Sequence, residues 1–263
     1  MGDRVLTMES VRDFYDHLAA DYHLIYPDWR SAVVRQGAVL DRLVRSILGE
    51  GERDVLDCAC GIGTQAIGLA LRGHRVVATD ISEASLERAR AEAATFGVTP
   101  ALRRADMRDL TEVDGDFDVV VALDDSLPHL LEDEELSAAA GAIAKKLRPG
   151  GLFVASTRDY DRAVLERPAA TAPRVFGGGG EPRRIVFQAW EWERDANTYA
   201  LRLFILRESG EEWAVSTHAT RYRALLRAEL EEVLARTGLR TVRWHDPAKT
   251  GFFQPIVTAR APE

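Results

Sequence analysis

From Asp54 onward, short apolar runs alternate with segments of helix length, and no other feature limits the possible folds of this chain as much. Residues 54–59, Asp-Val-Leu-Asp-Cys-Ala, read as a strand, 64–72 as a helix closed by Gly73, and 75–79 as the next strand. Ser82 then caps a helix through Phe96, with Glu83 in the first turn, where the helix dipole favours a carboxylate. Residues 117–123 form an apolar strand, 132–147 a helix stopped by Pro149-Gly150-Gly151, and 152–156 a further strand. Strands separated by helices specify βαβ units, which means an α/β fold with a mostly parallel sheet and helices on both faces.

The flanks follow other patterns. Val11, Phe14, Tyr15, Leu18 and Tyr22 recur at three- and four-residue spacing, as one buried helical face does. Pro27 interrupts it, and a second helix runs from Ser31 to the stop at Gly49-Glu50-Gly51. After Tyr160, the Pro- and Gly-rich stretch 168–182 reads as a loop. Strand-like runs at 185–192, 199–206 and 213–222 are separated by turns short enough for antiparallel hairpins. A helix over 228–236 and strands over 241–245 and 254–260 close the chain. At 263 residues the chain exceeds one domain of roughly 150 residues and falls short of two. The expected division is an N-terminal helical cap over 1–50, a core over 51–159 and 223–263, and an antiparallel substrate-side insertion over 160–222.

Charge and cysteine usage exclude several function classes. Forty-two acids against 34 Lys plus Arg give a net charge of −8, and no basic stripe stands out, so a nucleic-acid partner is not expected. No apolar stretch reaches the roughly 18 residues a spanning helix needs, and Met-Gly-Asp-Arg-Val does not begin a secretory signal. No membrane association is expected. Cys58 and Cys60 are too close in sequence to staple a fold and suit neither a zinc knuckle nor a disulfide scaffold. The expected setting is the cytoplasm.

The chemistry concentrates at Asp57-Cys58-Ala59-Cys60-Gly61-Ile62-Gly63, followed by Asp80 at the end of the next strand. Glycines at a strand-to-helix turn let the backbone approach a ligand closely, and an acid closing the second strand suits ribose hydroxyls. Gly61, Gly63 and Ala66 also satisfy the dinucleotide pattern G-x-G-x-x-G/A, which leaves an NAD-dependent oxidoreductase as a rival reading. Asp57 separates the two, because a carboxylate before the loop suits a cationic amino-acid ligand and repels a pyrophosphate. Arg104-Ala105-Asp106-Met107 places a polar residue beside an apolar one at the end of the third strand, as an adenine edge and face require.

From Asp54 to Thr157 these residues resemble the class I S-adenosylmethionine-dependent methyltransferases. The resemblance implies a Rossmann-like seven-stranded sheet and S-adenosyl-L-methionine as cofactor, released as S-adenosyl-L-homocysteine. It assigns Asp57, Ala59, Gly61 and Gly63 to the methionine part, Asp80 to the ribose, and Ile81, Asp106 and Met107 to the adenine, with Leu123 also facing the cofactor. Ala59 departs from the commoner glycine of that loop.

A narrower resemblance links Leu123-Asp124-Asp125-Ser126-Leu127-Pro128-His129-Leu130, Arg158-Asp159-Tyr160-Asp161 and Thr220-Arg221-Tyr222-Arg223 to the glycine and sarcosine N-methyltransferases. It implies methyl transfer to the nitrogen of a small acceptor, an amino acid or related amine, by in-line SN2 attack. Natural-product O- or C-methylation is the alternative. On this likeness Arg158 holds a substrate carboxylate, an arginine being able to grip one bidentately. Tyr26 and Tyr222 are substrate-side tyrosines, and Asp125, His129 and Tyr26 are the catalytic candidates. Asp125 is the main departure, since the family carries a neutral asparagine there. A carboxylate in that position would suit a more strongly cationic amine or would accept a proton. Asp125 and His129 as a metal pair is disfavoured, because Pro128 does not support helical i, i+4 geometry, and no metal is expected.

Overall fold

The computed structural model describes residues 8–178, 181–194 and 197–263. Seven strands build the main sheet: β1 (Asp54–Asp57), β2 (Arg75–Asp80), β3 (Ala101–Arg104), β4 (Phe117–Ala122), β5 (Leu147–Ser156), β10 (Arg240–His245) and β11 (Ile256–Arg260). Their order is β10-β11-β5-β4-β1-β2-β3. Strands β1 to β5 pair in parallel, while β11 runs antiparallel to both β5 and β10.

Successive side chains leave a strand on opposite faces, so an all-apolar strand feeds two cores at once. Val55, Val119, Val121, Leu152 and Val154 pack under α2 (Trp29–Leu48), α3 (Thr64–Ala70) and α4 (Glu83–Phe96). Leu56, Val120, Ala122, Phe153 and Ala155 pack under α5 (Asp133–Lys146) and α7 (Arg227–Arg236). Helices α2 and α3 approach until a Cβ on Gly68 would stand 2.6 Å from the Val33 carbonyl, so glycine is required there. This seven-stranded, mostly parallel sheet between helical layers is the expected Rossmann-like architecture.

A second sheet, all antiparallel, follows the order β6-β7-β8-β9 (Arg174–Gly178, Glu181–Trp192, Thr198–Ser209, Glu212–Arg223). Its inner face, with Val186, Trp190, Tyr199, Leu201, Leu203 and Ile205, shares one core with Phe14 and Leu18 of α1 (Val11–Leu18). The N-terminal helices therefore divide: α2 belongs to the main core, and α1 packs with the second sheet. The α1 face ends at Leu18, and Tyr22 lies on a separate 3-10 turn, Tyr22–Ile25. Strand β6 and helix α6 depart from the sequence expectation, as does the short helix Pro247–Thr250. Strand β6 lies inside the stretch read as a loop, an exposed edge strand held by pairing with β7. Helix α6 (Tyr160–Glu166) buries only Tyr160 and so shows no apolar periodicity. Among the described residues, no helix is long and apolar enough to cross a membrane.

Candidate active site

A cleft opens at the C-terminal ends of β1, β2 and β4, where an open α/β sheet places its ligands. It spans about 870 Å³ including its mouth, within the range of small-molecule sites. Its floor is the loop after β1. Gly61 has a left-handed φ of +51°, and its N–H donates to Asp80 Oδ2 at 2.7 Å. Asp80 Oδ1 accepts the Ser82 N–H at 2.9 Å. Two backbone donors thus hold this carboxylate at the cleft wall, with lone pairs left for a ligand's hydroxyls, and burial raises its pKa. Gly63, at φ +91°, begins α3 and does not line the cleft. A Cβ there would meet Ile67 and Ala89, so its role is in the turn.

Asp57 lies beneath this floor. Its Oδ1 accepts the Ala59 N–H at 3.3 Å, while Oδ2 is buried without a hydrogen-bond partner. Burial, with the nearby Asp80 charge, pushes its carboxyl up to about 7. An orphaned acid of this kind is costly unless a cation or donor arrives with the ligand. Ala59, Ile81, Met107 and Leu123 line the cleft, and Ala105 and Leu130 add apolar surface. Asp106 also lines it, with its carboxylate gripped by the Arg108 guanidinium at 2.7 to 3.1 Å. Burial alone would raise Asp106, but Arg108 outweighs it and holds the group below its ordinary value. An acid near the ribose position, an apolar slot and an unpartnered carboxylate together fit S-adenosylmethionine, which carries a ribose, an adenine and an amino-acid cation.

The opposite wall comes from the end of β4, the 3-10 turn Leu127–His129, and the roof helix α1. His129 lines the cleft, with its ring nitrogen Nε2 2.8 Å from the Tyr15 hydroxyl and its ring 4.1 Å from that of Tyr222. Burial and the Arg158 charge push its pKa down to about 3, so the imidazole is neutral. The Arg221 backbone opposes this slightly, although no well-aligned hydrogen bond reaches Nδ1.

Asp124 and Asp125 both have left-handed backbones, at φ +53° and +68°. Such a conformation costs a non-glycine residue roughly 1–2 kcal/mol and persists where the surroundings enforce it. Here Ser156 does so: its Oγ accepts the Asp124 N–H at 2.8 Å and its carbonyl accepts the Asp125 N–H at 3.1 Å. The two carboxylates consequently part. Asp124 lines the cleft, and its Oδ2 accepts the hydroxyls of Tyr22 and Tyr26, both at 2.8 Å. Asp125 turns away into a buried network, accepting the Arg158 N–H at 3.0 Å and the Tyr160 hydroxyl at 2.9 Å.

Arg158 belongs to the same network. Its Nε lies 3.3 Å from Asp125, its Nη1 donates to Tyr199 at 2.8 Å, and its guanidinium stacks over the rings of Trp190 and Tyr222. Of the residues expected at the site, Ala59, Gly61, Asp80, Ile81, Asp106, Met107, Leu123 and His129 meet in the cleft. Asp57, Gly63, Tyr26, Asp125, Arg158 and Tyr222 stand behind its walls. Sequence reasoning missed Asp124, Tyr15 and Tyr22. The tyrosines carry the periodic signal of a packed helix face, and only the doubled acid at 124–125 hints at Asp124.

A family profile described as "Methyltransferase domain" matches residues 55–151. Residues 55–151 are thus a methyltransferase domain. The glycine/sarcosine N-methyltransferase of Parasynechococcus marenigrum (strain WH8102) is 31% identical over 164 residues, 59% of this chain and 57% of that protein. The chain thus spans little more than half the length of that relative. Streptomyces venezuelae DesVI shares the fold with a TM-score of 0.74 at 24% identity, over 93% of this chain and 98% of that one. So does the S-adenosylmethionine-bound CalS10 of Micromonospora echinaspora, an amino pentose methyltransferase, with a TM-score of 0.71 at 18% identity, over 92% and 94%. These two likenesses extend the shared fold beyond the matched methyltransferase domain to α1 and the second sheet.

Proposed function

We propose that this protein transfers a methyl group from S-adenosylmethionine to the nitrogen of a small-molecule amine. S-adenosylmethionine supplies an electrophilic methyl group on a sulfonium cation. The chain's own contribution is placement, shielding and charge. Gly61, Asp80 and Ile81 position the nucleoside side, and Asp57 suits the amino-acid end. Tyr15 on α1 and the Leu127–His129 turn cover the cleft, limiting acceptors to small molecules and keeping water from the reacting atoms. Burial keeps His129 uncharged, so no imidazolium opposes a sulfonium across the cleft, and Nε2 shares a single proton with the Tyr15 hydroxyl. An amine reacts only when neutral, and an enclosed site lowers its pKa.

The observation that carries this reading is the pairing, in one cleft, of the Gly61–Asp80 nucleoside floor with a wall of phenols, neutral His129 and the Asp124 carboxylate. The glycine/sarcosine N-methyltransferase likeness and the amino pentose methyltransferase fold support nitrogen as the acceptor atom. The test is incubation with S-adenosylmethionine and a panel of amino acids, amines, phenols and carbon acids. The assay follows S-adenosylhomocysteine release and product mass. Methylation confined to phenols or carbon acids refutes the nitrogen assignment, and tight NAD binding without a response to S-adenosylhomocysteine refutes the class.

A further inference from the structure

The Asp124 carboxylate lines the cleft with phenols as its hydrogen-bond donors. Among the described residues no Lys, Arg or His lies within 4.0 Å of its carboxylate. Its Oδ2 accepts two phenol hydrogen bonds, and its Oδ1 has no donor among the described residues. Burial and the Asp124 charge hold the Tyr22 and Tyr26 phenols protonated, so both remain donors to this acid. The left-handed backbone at 124 and 125, fixed through Ser156 and its bond to Gln254, keeps the carboxylate at the cleft while Asp125 faces Arg158. A cationic group arriving with a ligand would complement this carboxylate.

The guanidiniums of Arg158 and Arg108 are already committed. Arg158 is held by Asp125 and Tyr199 and by two aromatic faces, and Arg108 is held by Asp106 and Glu135. Arg174, on the edge strand β6, stacks over Phe176 and feels the Asp124 charge, but it lies more than 4.0 Å from that carboxylate and does not line the cleft. A carboxylate entering beside Asp124 would meet like charge, and the one guanidinium that lines the cleft among the described residues, Arg108, is already paired.

We propose that Asp124 recognises the acceptor as an ammonium and takes up its proton, freeing the lone pair that attacks the methyl group, and that the acceptor is a primary or secondary amine with no carboxylate next to that nitrogen. This rests on the N-methyltransferase reading above and narrows its acceptor to amines unlike α-amino acids.

The experiment compares the full-length protein with Asp124→Asn, since asparagine tolerates the left-handed backbone and removes only the charge. The probes are glucosamine, methylamine and benzylamine against glycine, sarcosine and alanine, each with S-adenosylmethionine. Calorimetric titrations of S-adenosylhomocysteine, and of glucosamine into the S-adenosylhomocysteine complex, accompany the kinetics. The expected result is methylation of carboxylate-free amines by the wild type. In Asp124→Asn their KM, and the glucosamine Kd, should rise roughly 10- to 150-fold, the usual value of one hydrogen bond to a charged group. S-adenosylhomocysteine affinity and melting temperature should be unchanged. Methylation of α-amino acids only, or equal amine KM in the two proteins, overturns the inference and leaves the N-methyltransferase reading standing. Loss of S-adenosylhomocysteine affinity in the variant also overturns it, by assigning Asp124 to the cofactor. If neither group of amines is methylated by the wild type, the broader reading falls as well.

Discussion

Replacing Arg158 with methionine removes the guanidinium that faces the Asp125 carboxylate and leaves that acid buried at 2% exposure. The Arg158 side chain contributes an ion pair at 3.3 Å, a hydrogen bond to Tyr199 at 2.8 Å, and stacking on Trp190 and Tyr222 at 5.0 and 5.3 Å. Stranding one member of such a pair costs about 3–5 kcal/mol, which in a chain of this size lowers the melting temperature by roughly 6–20 °C. Adding Asp125→Asn removes the stranded charge, so the double variant should lose less than the two single losses combined.

The pH dependence has a definite sign. Burial already raises the Asp125 pKa against the pull of Arg158, and without Arg158 it rises further. A carboxyl whose folded pKa exceeds its unfolded one favours the folded state below the ordinary aspartate range. That benefit is lost as pH rises through the raised value. The Arg158→Met deficit should therefore shrink on acidification. Thermal and urea melts of parent, both single variants and the double variant measure all of this. A melting temperature within about 2 °C of the parent, or single losses that simply add, refutes the argument.

Two further outcomes concern the nucleoside side. Because the buried Asp57 carboxyl is raised to about 7, it should ionise, and hold a ligand's ammonium, only above that pH. Calorimetry should show S-adenosylhomocysteine binding weakening as pH falls through 7, and Asp57→Asn should bind weakly with that dependence abolished. In the unliganded protein the same raised group favours folding below about pH 4 and loses that contribution as pH rises to 7. Asp16 of α1 accepts the Ser82 hydroxyl at 2.6 Å and the Ala84 N–H at 3.3 Å, latching the roof to the start of α4. Asp16→Ala should cost about 0.5–2 kcal/mol and speed S-adenosylhomocysteine release in stopped-flow. An unchanged release rate shows that α1 does not gate the cleft.

The parallel core, its helices and the nucleoside floor are legible in the residues because their information is local. An apolar strand, a glycine with left-handed φ at Gly61 and an acid nineteen positions on at Asp80 each declare themselves within a short window. The second sheet was also visible as hairpins, through alternation and turn chemistry. Strand β6 was not, because an exposed edge strand has no buried face to leave a pattern.

The acceptor side depends on docking between distant parts of the chain. Asp124 meets Tyr22 across 102 positions and Tyr26 across 98, and Arg158 meets Tyr199 across 41. Sequence alone marks the acids 124 and 125 as a pair. Which one faces the cleft follows from Ser156, whose two hydrogen bonds stabilise consecutive left-handed residues and send the carboxylates apart. The type of each side chain was written in the chain, but its partner, and hence its free charge, was set by how the roof and second sheet pack onto the core.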